Sequence, residues 1–183
     1  MSFLRDNLVG FLHDIDAQLN LKKTYSLYLL GGSALLLYYG SHRSTVDIDL
    51  VSSDEAKDIL KIAGRNSKLS KEHNGLYVDV PADGMYLISE NFEEEAREFK
   101  ESFKNIRVYV LDPYTLIISK ISRLENKDFQ DIEFLFTTQK LSLAILEKKY
   151  KQAVTTFAEE IDTYHFSLVK KFLKEKKHKK NKV

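Results

Sequence analysis

The sequence contains no cysteine, and only two of its 183 residues are proline. Without cysteine, disulfide bonds and thiolate metal sites are excluded. No apolar run is long enough to span a bilayer, and the N-terminal segment, which carries Arg5 and Asp6, lacks the apolar core typical of a signal peptide. From these absences we expect a cytoplasmic protein with no membrane association.

Positive charge is unevenly distributed along the chain, although the formal net charge is only +1. Residues 170–183, called the basic tail below, contain eight lysines and one glutamate. Such a cluster of lysines indicates a polyanionic partner, most simply RNA or DNA. The alternative interpretation is the solubilising, frayed end of a helix, for which basic residues are also common.

Hydrophobic periodicity divides the chain into an α/β half at residues 1–111 and a helical half at residues 112–183, which we expect to pack as one unit. The first half is predicted to contain a helix at residues 2–20 and strands at residues 25–30, 45–51, 76–80, 85–89 and 106–111. After Pro113, which stands at the boundary, helical spacing continues almost to the end of the chain.

Two turn signals predict local connections in the α/β half. Ser52 and Glu55 have the spacing of a capping box, which predicts that a helix begins there. Asn74-Gly75 stands between two strand-like runs and predicts a hairpin turn, because both residues tolerate positive φ.

Asp47 and Asp49 alternate with apolar residues in the second predicted strand. The apolar set, Val46, Ile48 and Leu50, is expected on the opposite face. Aspartate is disfavoured in strands, and two like charges on one face repel each other. A divalent cation such as Mg²⁺ or Mn²⁺ turns that repulsion into binding, because hard cations prefer carboxylate and phosphate oxygens. The alternative interpretation is the solvated face of an edge strand.

A third carboxylate from a neighbouring strand completes a two-metal site. Asp79, on the outward face of the predicted strand at residues 76–80, is the candidate, and Asp83 and Glu72 are the alternatives. Tyr77 shares that face with Asp79 and is a candidate to flank a nucleotide.

A glycine pair precedes the two acids and is followed by a serine. Gly31, Gly32 and Ser33 follow a predicted strand and open a predicted buried helix at residues 33–39. Backbone N–H groups at such a junction bind phosphate, and the Ser33 hydroxyl can donate a further hydrogen bond. A phosphate-binding turn followed by a metal-binding strand suits a nucleoside triphosphate (NTP), although a Gly-Gly-Ser turn alone also serves as an ordinary helix N-cap.

The segment GGSALLLYYGSHRSTVDIDLV resembles the signature of the nucleotidyltransferase superfamily with the DNA polymerase β-like fold. Within it the segment is most similar to the minimal, toxin-like branch of AbiEii and MenT type, in which an arginine, here Arg43, precedes the Asp-x-Asp strand. A second segment, DPYTLIISKISRLENKDFQDIEFL, matches that branch at Lys120, Lys127, Asp128 and Asp131. The resemblance implies that Lys120 contacts the triphosphate and that Asp128 is an active-site acid, whereas Asp131 either shares that role or holds the helices together.

The resemblance also implies an α+β fold, with a short mixed sheet flanked by helices and a C-terminal helical bundle. The implied function is metal-dependent transfer of a nucleoside monophosphate from an NTP to a hydroxyl of RNA, particularly tRNA, or of protein. A toxin of this kind has an antitoxin partner. The basic tail favours RNA as acceptor. The alternatives are an inactive nucleotide- or RNA-binding module on the same fold and a small-molecule nucleotidyltransferase of the antibiotic-modifying kind.

Overall fold

The structure is a computed structural model that describes residues 3–19, 24–82, 85–156 and 163–180. Backbone contacts divide the chain into two compact units. The first unit comprises Met1–Asp83 and Glu93–Asp112, and the second comprises Gly84–Phe92 and Pro113–Val183.

The described residues form nine helices and five strands. In chain order they are α1 (Phe3–Gln18), β1 (Tyr25–Leu30), α2 (Gly31–Leu37), β2 (Asp47–Leu50), α3 (Asp54–Ala63), α4 (Lys68–Glu72), β3 (Tyr77–Asp79), α5 (Phe92–Glu95), β4 (Arg97–Glu98), β5 (Ile106–Val110), α6 (Pro113–Ile121), α7 (Asn126–Thr138), α8 (Leu143–Thr156) and α9 (Tyr164–Lys180). No helix within the described ranges is sufficiently long and apolar to cross a membrane.

The five strands form one mixed sheet in the order β3-β2-β1-β5-β4. The central strand β1 is parallel to β5 and antiparallel to β2, while β2 is parallel to β3 and β4 is antiparallel to β5. Helices of the first unit contact this sheet through α2 and α3. The mixed sheet flanked by helices confirms the predicted α+β fold class.

Helix α1 contributes a fully buried stripe to the core of the first unit. The stripe consists of Leu8, Phe11, Leu12 and Ile15, each at most 1% exposed. Their spacing places them on one helical face, and burial of each large side chain contributes about 2 kcal/mol to stability. The predicted helix is therefore confirmed over Phe3–Gln18, while residues 2 and 20 lie outside the described residues.

Hydrogen bonds to Asp16 connect the C-terminal end of α1 to the beginning of β5. Its buried carboxylate accepts hydrogen bonds from the backbone N–H groups of Lys104 (2.8 Å), Asn105 (2.6 Å) and Ile106 (2.9 Å). The three bonds are charge-assisted, and the one from Ile106 satisfies a buried backbone donor.

The hairpin predicted at Asn74-Gly75 is wrong. The residues before it form helix α4 rather than a strand, and β3 after it pairs in parallel with β2. Asn74 and Gly75 do adopt the expected positive φ, 56° and 85°. The same left-handed conformation that closes a hairpin also terminates a helix, so the dipeptide alone does not distinguish the two.

Three other local predictions are wrong. Residues 85–89 form no strand; Leu87 is buried, whereas Met85 is 58% exposed. Val46 precedes β2 instead of belonging to it and is 60% exposed, so it does not share the buried face of Ile48. The N-cap of α3 is Ser53, whose hydroxyl accepts from the Ala56 N–H at 3.0 Å, and not Ser52.

Helix α6 lies in the interior of the second unit, where it contacts α7, α8 and α9. Every α6 residue except Tyr114 is buried, including Lys120, which is 3% exposed. An ammonium removed from water in this way requires negative partners. The partners are Asp131, whose Oδ2 is 2.7 Å from Lys120 Nζ, and Asp128, whose Oδ1 is 3.3 Å away.

Arg123, whose side chain is 35% exposed, completes what is called the buried ion cluster below: Lys120, Arg123, Asp128 and Asp131. The guanidinium of Arg123 binds both carboxylate oxygens of Asp128 at 3.1 Å, and the Glu125 N–H donates to Asp128 at 2.9 Å. Burial alone would raise the pKa of Asp128, but the hydrogen bond from Arg123 and the charge of Lys120 hold the pKa below its ordinary value of 3.8.

This balance of charges predicts how the stability of the second unit depends on pH. Because the pKa of Asp128 is lowered on folding, its contribution to stability is complete above about pH 5 and is lost as the pH falls through the folded pKa. We expect Asp128→Asn to lower the free energy of unfolding by about 2 kcal/mol at pH 7. Urea titrations at pH 7, 5 and 3 should show the difference between wild type and variant shrinking at the lowest pH. A difference independent of pH would contradict this account.

Candidate active site

Three aspartates project from one face of the β2–β3 pair, which we call the carboxylate face. Asp47 and Asp49 alternate with Ile48 and Leu50, which are 0% and 1% exposed on the opposite side. The parallel pairing of β2 with β3 then places Asp79 directly beside Asp49. Paired residues of parallel strands project to the same side of a sheet, so the register places the third carboxylate on the same face as the first two.

The two alternatives for the third acid are placed differently. Glu72 ends helix α4, where its carboxylate is 3.6 Å from the ammonium of Lys68. Asp83 lies outside the described residues. The metal role of Asp79 stays a prediction, and its register partner Asp49 is the observation that supports it.

The beginning of helix α2 lies against the carboxylate face. Leu30 pairs with Asp49 across β1 and β2, and Gly31 follows with a φ of +69°. A Cβ atom on Gly31 would lie 1.9 Å from Oδ2 of Asp49, and one on Gly32 would lie 3.2 Å from Oγ1 of Thr45. Helix α2 begins at Gly31, two residues earlier than predicted. Only glycine permits this close approach to Asp49 at the first position of the helix.

Ser33 is completely buried in the first turn of α2. Its hydroxyl donates to the carbonyl of Leu30 at 3.2 Å. The predicted hydrogen bonds from Ser33 and from the Gly32 backbone to a phosphate stay predictions. Leu30, at the N-cap of α2, supplies no side-chain acceptor for the first N–H groups of this helix.

Thr45 orients one of the acids and was not identified from the sequence. Its hydroxyl donates to Oδ1 of Asp47 at 2.7 Å, which fixes the direction of that carboxylate. Arg43 lies two residues earlier in the segment that leads into β2. It is half-buried, and its backbone N–H donates to the hydroxyl of Ser41 at 3.2 Å. A threonine two residues before a strand aspartate is a local signal that could have indicated Thr45.

A tyrosine and an arginine complete the polar surroundings of the carboxylate face. Tyr77 pairs with Asp47, is 8% exposed and accepts a hydrogen bond from the Arg65 guanidinium, which also lies over its ring. Burial raises the pKa of Tyr77; Asp47 adds to that shift, Arg65 opposes it, and Asp79 and Asp49 add to it. The phenol therefore stays neutral. Arg65 was not identified from the sequence, because nothing local links it to residue 77.

The chemistry of the carboxylate face suits a hard divalent cation. Mg²⁺ requires only one or two protein carboxylates when substrate phosphates and water supply the other oxygens. Among the described residues, no group of three or more histidine, cysteine, aspartate or glutamate side chains stands close enough together to hold a metal ion on its own. Asp47 and Asp49 thus provide ligands of the right kind, and the three-carboxylate metal site stays a prediction.

The residues predicted from the second motif lie in the second unit. Lys120 and Asp128 belong to the buried ion cluster, and Asp131 joins α6 to α7 through its 2.7 Å contact with Lys120. Lys127 is 2.9 Å from the Glu125 carboxylate. Contact of Lys120 with a triphosphate and an active-site role of Asp128 stay predictions.

The approach of Gly31 to Asp49 predicts the effect of a single methyl group. Gly31→Ala would force Asp49 out of position, whereas Gly40→Ala has a similar φ of +76° and nothing within 4 Å of its Cβ. The strain of positive φ costs about 1–2 kcal/mol in both variants, and overpacking adds about 1–3 kcal/mol at Gly31 alone. Chemical denaturation of both variants measures the difference. Equal losses would show that Asp49 does not restrict this position.

No curated protein and no solved structure matches this chain significantly. A protein-family profile described as "Nucleotidyltransferase of unknown function (DUF6036)" matches residues 7–180, which is nearly the whole chain. The match extends across both units and includes both motifs from which the superfamily was predicted. The protein therefore belongs to the nucleotidyltransferase family DUF6036.

Proposed function

We propose that the protein is a cytoplasmic, metal-dependent nucleotidyltransferase that transfers a nucleoside monophosphate from an NTP to a hydroxyl group of RNA. The observation that carries the proposal is the register of β2 and β3, which sets Asp79 beside Asp49 while the Gly31 backbone lies against Asp49. Carboxylates beside a glycine-rich helix start are the groups that such a reaction requires.

Asp47, Asp49 and Asp79 are the residues that would hold Mg²⁺ or Mn²⁺. When bound, the cations neutralise phosphate charge and lower the pKa of the attacking hydroxyl. Thr45 supports this role because it fixes one Asp47 oxygen at 2.7 Å and leaves the other lone pairs of that carboxylate for a ligand.

In the proposed reaction, the acceptor hydroxyl attacks the α-phosphorus of the NTP in line. A new oxygen–phosphorus bond forms, the bond to the bridging oxygen of the β-phosphate breaks, and pyrophosphate leaves with that bonding pair. Asp79 accepts the hydroxyl proton. The N–H groups of Gly31 and Gly32 bind phosphate oxygens, and Arg43 stabilises their negative charge. The hydroxyl of Ser33 joins them only by giving up its hydrogen bond to the Leu30 carbonyl, because that side chain is buried.

The ion pairs of Lys120 limit the role that we propose for Lys120 and Asp128. Contact of Lys120 with any ligand outside the second unit's interior requires its ammonium to leave Asp128 and Asp131. Removing the Lys120 ammonium from two buried carboxylates is costly, although Arg123 would stay bound to Asp128. We therefore assign phosphate neutralisation first to Arg43, and the resemblance alone supports a direct role of Lys120 or Asp128.

A basic groove in the second unit favours RNA over a small-molecule acceptor. The groove, of about 960 Å³, runs between the C-terminal part of α7 and helix α9. Phe136 and Leu173 contribute apolar surface, and Lys140, Lys174 and Lys177 are exposed around it. Lysines beside an aromatic ring suit a single-stranded phosphodiester chain with unstacked bases.

A toxin role, with tRNA as acceptor and an antitoxin protein as partner, rests on the resemblance to the AbiEii and MenT branch. We include it in the proposal because the lysines of the groove suit a polyanionic acceptor.

The enzymatic proposal predicts that transfer depends on the carboxylate face. The protein is incubated with each labelled NTP, Mg²⁺ or Mn²⁺, and total tRNA. We expect labelled RNA with at least one NTP, and a loss of at least about 100-fold in Asp49→Ala because the cation loses a ligand. Asp54→Ala, which removes an exposed carboxylate on α3, is the matched control and should remain active.

That incubation, repeated with protein or small hydroxyl compounds in place of tRNA and accompanied by a measurement of NTP binding, has three outcomes that would contradict the proposal. NTP binding without label transfer to RNA, protein or small molecules would favour an inactive binding module. Transfer only to small hydroxyl compounds would favour the antibiotic-modifying class. Equal activity of wild type and Asp49→Ala would remove the carboxylate face from the reaction.

The groove predicts the salt dependence of RNA binding. The double variant Lys174→Ala/Lys177→Ala should weaken tRNA binding about tenfold near 0.1 M salt, and the plot of log K against log salt should become shallower by about 1.4, because two phosphate contacts are lost. Lys148→Ala/Lys171→Ala removes two exposed lysines outside the groove lining and is the charge-matched control. Identical slopes for both variants would leave the groove without a specific role.

A further inference from the structure

Arg65 is an exposed cation beside the carboxylate face, and two contacts with Tyr77 hold its guanidinium in place. Its Cζ lies 4.3 Å from the centroid of the Tyr77 ring, and its Nη2 donates to the Tyr77 hydroxyl. Stacking and hydrogen bonding restrict the Arg65 side chain before any ligand binds. It therefore loses less rotamer freedom on binding.

The backbone on both sides of the contact is held in place. Gly64, immediately before Arg65, forms a parallel bridge to Val78, and its N–H donates to the Leu60 carbonyl at 2.8 Å. A Cβ on Gly64 would lie 2.4 Å from that carbonyl oxygen, so the chain passes too closely for a larger residue. The Tyr77 N–H donates to the carbonyl of Val46 at 3.1 Å, just before Asp47. The end of α3 and the strand β3 therefore hold Arg65 and Tyr77 in a fixed arrangement.

Charge and geometry indicate what this pair binds. Tyr77 is the register partner of Asp47, so Arg65 stands on the ring that borders three carboxylates. A guanidinium has five N–H donors in a planar fork, and the bond to Tyr77 uses one of them. The remaining fork matches a phosphate group, which accepts two parallel hydrogen bonds.

We propose that Arg65, held on the ring of Tyr77, binds a phosphate group of the NTP at the border of the carboxylate face. The inference rests on the proposed function and adds a substrate-binding residue to it. Arg65 contacts the substrate, and Tyr77 is a positioning residue that acts through Arg65.

The experiment measures phosphate binding without turnover. Calorimetry gives the Kd of Mg²⁺–pyrophosphate and of the four Mg²⁺–NTPs for wild type, Arg65→Ala, Arg65→Lys and Arg107→Ala. Arg107 is an exposed arginine on β5 and serves as the charge-matched control. We expect Arg65→Ala to raise the Kd at least about tenfold, because charge-assisted bonds are lost. Arg65→Lys should recover part of the affinity, and Arg107→Ala should remain within about twofold of wild type.

Tyr77→Phe tests the positioning role, since it keeps the ring and removes the hydroxyl that accepts from Arg65. We expect the KM for the NTP to rise about threefold with a smaller change in kcat, because one hydrogen bond that orients the guanidinium is lost. Melting temperatures of all variants separate this effect from loss of folded protein. An unchanged KM would contradict the positioning role.

Different results overturn the inference and the proposed function. If wild type binds Mg²⁺–NTP and Arg65→Ala binds it equally well at an unchanged melting temperature, the inference is wrong and the proposed function stands. If Arg65→Ala melts earlier, Arg65→Lys decides, and wild-type affinity in that variant contradicts bidentate binding. If wild type binds neither pyrophosphate nor any NTP, both proposals are overturned.

Discussion

The close approach of the Gly31 backbone to the carboxylate of Asp49 is the constraint on which the arrangement of the candidate site depends. Glycine at residue 31 combines a positive φ with this approach, so that the start of helix α2 lies against β2. The pairing of Leu30 with Asp49 in the sheet brings the two segments together, so the constraint belongs to the strand register as well as to the turn. Local sequence and tertiary structure therefore specify the same geometry.

Much of the fold was predictable because the strongest local patterns agree with the tertiary structure. β1 has the predicted bounds, Tyr25–Leu30, and the helices after Pro113 follow from their spacing. The wrong predictions occurred where one local sequence pattern is compatible with two different structures. Asn74-Gly75 ends a helix with the backbone conformation of a hairpin turn, and the apolar run at residues 85–89 buries Leu87 without forming a strand. Only contacts distant in sequence decide between such alternatives.

The candidate site was predictable to the extent that its residues are neighbours in the chain. Asp47 and Asp49 follow from alternation, and the placement of Asp79 beside them follows from a parallel register that no short segment encodes. Arg65 could not be identified from the sequence, because its contact with Tyr77 depends on the β-bridge between Gly64, at the end of α3, and Val78 in β3. Membership of family DUF6036 agrees with the superfamily inferred from the motifs, which are local.

The bonds from Asp16 to the backbone at residues 104–106 also constrain the order of events during synthesis. A chain leaving the ribosome makes α1 first, yet Ile106, whose N–H donates to Asp16 and which begins the parallel partner of the central strand β1, emerges 90 residues after Asp16. Such distant pairing must overcome loop-closure entropy before it contributes stability. The first unit therefore completes its sheet only after β5 is translated, whereas the helices that α1 contacts, α2, α3 and α4, are made well before β5.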